Sequence, residues 1–163
     1  MDILLYFKSK GRAIIKIRRA KPYEAELLSE LAFDSKSHWN YKADYLEAAR
    51  EHLKITDREI EDEQVFVYEV AGNIKGYYHF RTNDEPELVW LFVKPDSIGT
   101  GIGKLLWNHL LSTLKHTEII SFVIKSDPNA EQFYLRLGAH RIGLKDSTVD
   151  SEMKLPVLKY VIV

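Results

Sequence analysis

Seven short segments carry the apolar, β-branched and aromatic residues that favour β-strands. In chain order they are Ala13–Arg19, Gln64–Val70, Ile74–Arg81, Glu87–Val93, Ile119–Ile124, His140–Leu144 and Leu155–Val163. Between them, apolar residues recur at the three- and four-residue spacing of amphipathic helices. These helical segments begin near Pro22, Tyr45, Thr56, Ile102 and Pro128. A hairpin-forming first half followed by helical crossovers predicts an α/β fold, a mixed sheet with helices on both faces.

A glycine-rich turn joins the fourth predicted strand to the helix after it. Pro95 ends the strand because proline cannot donate to a ladder, and Gly99, Gly101 and Gly103 follow. Without Cβ atoms, these glycines let an anion approach backbone N–H groups at the positive end of the helix dipole. The turn therefore predicts a phosphate-binding loop, and a plain strand-to-helix turn is the alternative.

Two familiar nucleotide-binding motifs do not fit this turn. A Walker loop needs a glycine where the chain has Ile98 and a hydroxyl where it has Leu105. The dinucleotide fingerprint fails on the spacing of its glycines, since positions 102 and 104 are isoleucine and lysine.

The motif that remains resembles that of the GNAT superfamily of acyl-CoA N-acyltransferases. Their signature is Gln/Arg-x-x-Gly-x-Gly/Ala after a long central strand. Gly101-Ile-Gly103 matches the glycines, and Ile98 stands at the Gln/Arg position, so one polar contact of the family is absent.

A second segment, Ser126–Gly138, strengthens the resemblance. It reads as a helix with Asp127 as N-cap and Gly138 just past its end. In the corresponding GNAT signature an asparagine contacts the pantetheine region and a tyrosine approaches the thioester sulfur, and Asn129 and Tyr134 match by position. Without the glycine loop upstream, the residues alone favour Tyr134 as a core aromatic with its hydroxyl at the surface.

The resemblance covers the chain from about Ile14 to Val163 and implies the GNAT fold, with acetyl-CoA as co-substrate. In that fold the fourth and fifth strands splay apart, and the cofactor lies in the slot between them. The implied cofactor-binding residues are Leu91, Phe92, Val93, Ile98, Gly99, Thr100, Gly101, Ile102, Gly103, Lys104, Asn129 and Tyr134. Tyr134 would also be catalytic, because a phenol keeps its proton at neutral pH and can donate it to the departing thiolate.

Transfer to an amine also needs a proton acceptor, because an alkylamine with a pKa of ~10 is almost fully protonated at pH 7. Glu87 is the candidate base by position, with Asp84, Glu85, His79 or a water as alternatives. For the acceptor, the resemblance points to Trp39, Tyr41, Tyr78 and His79, although core packing could also explain these residues. No histidine pairs with another histidine or a carboxylate at metal-ligand spacing, so no metal is expected.

Composition fits one globular domain, and the resemblance implies that residues 1–163 form a single N-acetyltransferase domain. The chain is 45% hydrophobic and 29% charged, which is ordinary for a globular protein. Its net charge of −1 gives no reason to expect that the chain as a whole binds nucleic acid. Basic residues outnumber acidic ones in the first part of the sequence and include Lys8, Lys10, Arg12, Lys16 and Arg18. We interpret them as the solvated side of the first strand, and some of them could bind an anionic ligand. No apolar run reaches the ~20 residues that a membrane helix needs.

The absence of cysteine favours a reducing cytoplasm. The expected function is transfer of an acetyl group to a primary amine of a small molecule or peptide within a ternary complex. Two alternatives remain open: an acyl-CoA-binding module without turnover, and an enzyme with a non-amine acceptor or a longer acyl chain. A homodimer is possible if the apolar last strand, 157–163, pairs across it.

Overall fold

The computed structural model describes residues 13–163. Its strands are β1 Ile15–Arg19, β2 Gln64–Val70, β3 Asn73–Arg81, β4 Glu87–Val93, β5 Ser121–Lys125, β6 His140–Asp146 and β7 Lys154–Val161. Its helices are α1 Ala25–Ser37, α2 Ala43–Arg50, α3 Asp57–Asp62, α4 Ile102–Leu114 and α5 Glu131–Arg136. Single 3₁₀ turns precede α1, α4 and α5 and follow α2.

All seven strands form one mixed sheet in the order β1-β2-β3-β4-β5-β7-β6. Neighbouring strands are antiparallel except β4 and β5, which are parallel and are connected by α4. Helices cover both faces. The face under α4 and α5 holds one core, including Leu106, Trp107 and Tyr134, and the face under α1–α3 holds another, including Leu28 and Ile60. The predicted mixed α/β sheet is therefore confirmed.

Local capping explains where several helices begin. At α3 the Thr56 hydroxyl accepts from the Glu59 backbone N–H, and the Glu59 carboxylate accepts from the Thr56 N–H, which is the predicted capping box. Asp127 caps the turn before α5 by accepting from the Asn129 N–H at 2.8 Å. The acidic segment around α3 is thus a helix start, as predicted.

The prediction that the last strand, 157–163, pairs across a dimer does not hold for its first part. Within the described sheet, 157–159 is hydrogen-bonded to β5 on one side and to β6 on the other, so both edges of this part are already used. The sheet edges are β1 and β6.

Of the basic excess near the start, Lys8, Lys10 and Arg12 lie outside the described residues. On β1, Arg18 contacts Glu24 at 2.7 Å and Glu69 at 2.9 Å, and Lys16 contacts Glu69 at 3.2 Å. Lys16 and Arg18 are therefore both paired with carboxylate side chains of the fold. No helix within residues 13–163 is long and apolar enough to cross a membrane.

Candidate active site

A slot opens where the two parallel strands diverge. β4 and β5 pair only at Glu87 and Val123, next to a bond from the Val123 N–H to the Pro86 carbonyl at 3.0 Å. Among residues 13–163, β3 is the only partner of β4 from Leu88 to Val93. The edge of β4 that faces β5 is thus left open along the stretch where the sequence predicts cofactor contacts.

The glycine loop lies at the end of this slot. Gly99 and Gly101 adopt left-handed backbone angles, with φ of 79° and 92°, and Gly101 is the N-cap of α4. Within the described chain, the N–H groups of Ile102–Lys104 have no hydrogen-bond acceptor, and the first bond of the helix runs from the Leu105 N–H to the Gly101 carbonyl at 3.1 Å. These free donors at the positive end of a 13-residue helix can bind an anion.

A cavity of about 460 Å³, the loop groove, begins at these amides. Its wall is formed by the end of α1, the end of β4, the glycine loop and α5, with Lys36, Lys104 and Arg136 as cationic side chains. Gly103 also allows close packing, since a Cβ there would lie 3.2 Å from the Phe133 ring.

A second cavity of about 310 Å³, the inner cavity, lies between β4, α2 and the segment between β6 and β7. Trp90 and Tyr45 contribute aromatic surface to it. Glu87, Arg81 and Lys125 provide charges at the side where β4 and β5 meet.

The two cavities share a stretch of wall, which we call the junction. It consists of Lys36, Leu91, Phe92, Asp127, Ala130 and Tyr134, each of which lines both cavities. The two cavities therefore adjoin at this point, where ligands bound in them would meet.

Tyr134 is 5% exposed and packs with its ring centroid 5.8 Å from that of Trp107. Burial, reinforced by the negative charge of Asp127, raises the pKa of the Tyr134 phenol above its usual range. The hydroxyl is therefore protonated at neutral pH, as a proton donor at the junction must be. The Glu87 carboxylate lies 3.4 Å from the Lys125 ammonium, and its side chain is 16% exposed toward the inner cavity.

A polar network ties α1 to the start of α5 across the junction. Asp127 accepts hydrogen bonds from Lys36 Nζ at 2.6 Å and from the Tyr41 hydroxyl at 2.7 Å, and the Asn129 amide donates to both Asp127 and Tyr41 at 3.0 Å. Burial alone would raise the pKa of the Asp127 carboxyl, but the Lys36 charge and these hydrogen bonds lower it. Asp127 is consequently ionised at neutral pH, with its oxygens fully occupied.

Two of the four predicted acceptor residues, Tyr78 and His79, are buried away from both cavities. Tyr78 is completely buried under α4, where its hydroxyl is 2.9 Å from His109 Nδ1, and it lines neither cavity. His79 is 1% exposed and its Nε2 contacts the Glu63 carboxylate, so it faces the α1–α3 core and also lines neither cavity. Because His79 is buried, it cannot reach an acceptor and is not an alternative base.

Other predicted residues lie elsewhere than expected. Trp39 lines the loop groove and not the inner cavity, while Tyr41 lines neither cavity and acts through the network around Asp127. Thr100 and Ile102 do not line the loop groove: the Thr100 hydroxyl donates to the Ser97 carbonyl, and the Ile102 side chain is buried in the core. Asp84 and Glu85 are exposed and line neither cavity.

Sequence reasoning missed the Lys36–Asp127 pair, whose members are 91 positions apart. Asp127 was identified only as a helix cap. No sequence pattern indicates a role for Lys36, because a lysine near the end of an amphipathic helix is common.

Comparisons with known proteins agree with this geometry. The family model described as an acetyltransferase (GNAT) domain matches residues 27–151. The 5-NmdU N-acetyltransferase of Pseudomonas phage PaMx11 is 30% identical over 128 residues, covering 77% of this chain and 86% of the phage protein.

Solved structures give the same fold. A GCN5-related N-acetyltransferase from Rhodopseudomonas palustris superposes with a TM-score of 0.77 at 15% identity, covering 89% of this chain and 94% of that one. The PaiA N-acetyltransferase from Thermoplasma acidophilum, solved in complex with coenzyme A, superposes with a TM-score of 0.70 at 20% identity, covering 90% and 98%.

The fold and the glycine loop are those of an acyl-CoA N-acyltransferase. The chain belongs to the GNAT acetyltransferase family.

Proposed function

We propose that this protein transfers an acetyl group from acetyl-CoA to a primary amine within a ternary complex. The observation that carries the proposal is the junction, where a groove with free helix amides meets a second cavity beside a buried tyrosine. A direct transfer requires such a meeting point between two ligand sites.

The residues present fit coenzyme A. The free N–H groups of Ile102–Lys104 would bind its pyrophosphate, and Lys104 and Arg136 add positive charge to the groove. The open edge of β4 at Leu91–Val93 would pair with the pantetheine amides. The Asn129 amide nitrogen is already used by Asp127 and Tyr41, so its carbonyl oxygen is the group left for the cofactor.

Bound acetyl-CoA would supply a thioester as the acetyl donor. Backbone N–H groups of β4 would stabilise the negative charge that develops on its carbonyl oxygen, an effect worth ~3 kcal/mol for each well-placed donor. Glu87, facing the inner cavity, would accept the proton of the acceptor amine, directly or through a water. Tyr134 would donate its proton to the departing thiolate.

The inner cavity sets the size of the acceptor. At about 310 Å³ it suits a small molecule or a single extended side chain, and its aromatic wall at Trp90 and Tyr45 can pack against a flat or cationic group. The phage relative is named for its action on 5-NmdU, which makes this compound a first acceptor to assay.

Acetyl-CoA should stabilise the fold by ~2.7 kcal/mol at a hundredfold excess over its Kd, because it binds the native state. We expect Gly101→Val to lose this gain, since its side chain would enter the approach to the amides. Thermal melts with and without acetyl-CoA measure the effect.

Gly72→Val is the matched control. Gly72 has a similar left-handed φ of 82°, no neighbour within 4 Å of a Cβ, and a position in the β2–β3 hairpin away from the groove. It should lose intrinsic stability through the same backbone strain and keep the full ligand-induced gain. A Gly101→Val protein that still gains as much as wild type would refute the phosphate-loop assignment.

A further inference from the structure

Lys36 has a position that no other lysine of residues 13–163 shares. Lys104 lines only the loop groove, and Lys125 and Lys145 line only the inner cavity, whereas Lys36 lines both. A primary amine of the chain itself therefore lies at the junction, where the proposed reaction would take place.

This amine is held in place. Lys36 Nζ is 2.6 Å from Asp127 Oδ2 and lies over the rings of Tyr41 and Tyr45, 5.1 and 5.7 Å from their centroids. The side chain is only 12% exposed. A carboxylate and aromatic faces are also the groups that would recognise a substrate alkylammonium, so Lys36 is surrounded as an acceptor would be.

We propose that Lys36 is a self-acetylation site, modified by acetyl-CoA bound in the same protein molecule. This inference rests on the proposed function. The ammonium first releases one proton to solvent, and Nζ then forms a bond to the thioester carbonyl carbon. The nitrogen releases its second proton to solvent as the carbon–sulfur bond breaks. The departing thiolate takes the proton of Tyr134, which regains one from solvent, so the products are Nε-acetyl-lysine, free coenzyme A and one proton released to solvent.

The ion pair with Asp127 both positions the amine and slows its reaction. Nζ must leave its contact with Asp127 before it can attack the thioester, so self-acetylation is slower than transfer to a good free acceptor. Once acetylated, Lys36 has lost its charge and its strong contact with Asp127, and the added acetyl group occupies the junction. The modified enzyme therefore turns over more slowly, which makes the site a brake that acts when acceptor is scarce.

The test is incubation of the purified protein with acetyl-CoA and no acceptor, followed by proteolysis and mass spectrometry of each lysine. Lys54 is the internal control, because it makes an ion pair of the same 2.6 Å length with Glu51 but is 55% exposed and lines neither cavity. We expect the initial rate at Lys36 to exceed that at Lys54 by at least about tenfold, since the bound thioester is held near Nζ. Lys36→Arg should lower the total by one acetyl group per chain.

The reaction should be first order in protein: at saturating acetyl-CoA, the fraction of Lys36 labelled per unit time should be unchanged on dilution, and free coenzyme A should appear in step with the label. The proposal is overturned if Lys36 is labelled no faster than Lys54, or if the fraction labelled per unit time falls in proportion to protein concentration. The proposed function fails separately: an acetylated free amine with unlabelled Lys36 refutes only self-acetylation, whereas labelled Lys36 with no product from any amine refutes only transfer to a free acceptor.

Discussion

Tyr134→Phe should lower turnover by about one to two orders of magnitude while leaving the affinity for acetyl-CoA nearly unchanged. The substitution keeps the ring, which packs against Trp107 and Phe133, and removes only the hydroxyl. Burial raises the pKa of this phenol, so the wild-type group carries its proton across the neutral range. Steady-state rates together with thermal shifts by acetyl-CoA separate the chemical step from binding.

Tyr160→Phe is the matched control for this variant. Tyr160 packs against the same Trp107 ring, with centroids 5.0 Å apart, but lines neither cavity. Its loss of a hydroxyl should leave turnover near the wild-type value. Equal rates for Tyr134→Phe and wild type would make Tyr134 a packing residue and leave water as the proton source.

Glu87→Gln should reduce the rate near neutral pH by about a hundredfold, the lower end of what a general base supplies. Glutamine keeps the size and most of the hydrogen-bonding reach toward Lys125 but cannot accept the amine proton. The defect should shrink as pH rises toward the amine pKa of ~10, because more of the acceptor is then already neutral. Wild-type and variant pH–rate curves with one good amine measure this.

Glu85→Gln provides the comparison, since Glu85 is an exposed residue on the turn before β4 and lines neither cavity. Its pH–rate curve should match that of wild type. If the Glu87→Gln curve instead runs parallel to wild type at all pH values, Glu87 is not the base, and a water held by backbone carbonyls takes its place, because His79 is buried.

Local sequence signals predicted much of the fold and the loop groove. The glycines, the caps at Thr56 and Asp127, and the residue periodicities each depend on a few neighbouring residues, so they could be read directly. The family resemblance then placed Tyr134 and Glu87, both of which line the inner cavity.

The predictions that differ from the structure concern residues for which the sequence does not indicate which way the side chain points. Tyr77, Tyr78, His79 and Phe80 are all buried, because β3 is covered on both faces, and alternation therefore cannot say which side chains meet a ligand. A register shift between His79 and Phe80 disturbs the alternation further. The insertion of β7 between β5 and β6 and the pairing of Lys36 with Asp127 are long-range results of topology.

The most direct test of the account is to incubate the protein with acetyl-CoA and a panel of primary amines that includes 5-NmdU, and to follow both free thiol and acetylated product. The account predicts that at least one amine gives equal amounts of coenzyme A and N-acetylated product, and that both fall together in Tyr134→Phe. If acetyl-CoA stabilises the protein but no amine in the panel yields product, the account is contradicted, and the chain is an acyl-CoA-binding module or uses another acceptor class.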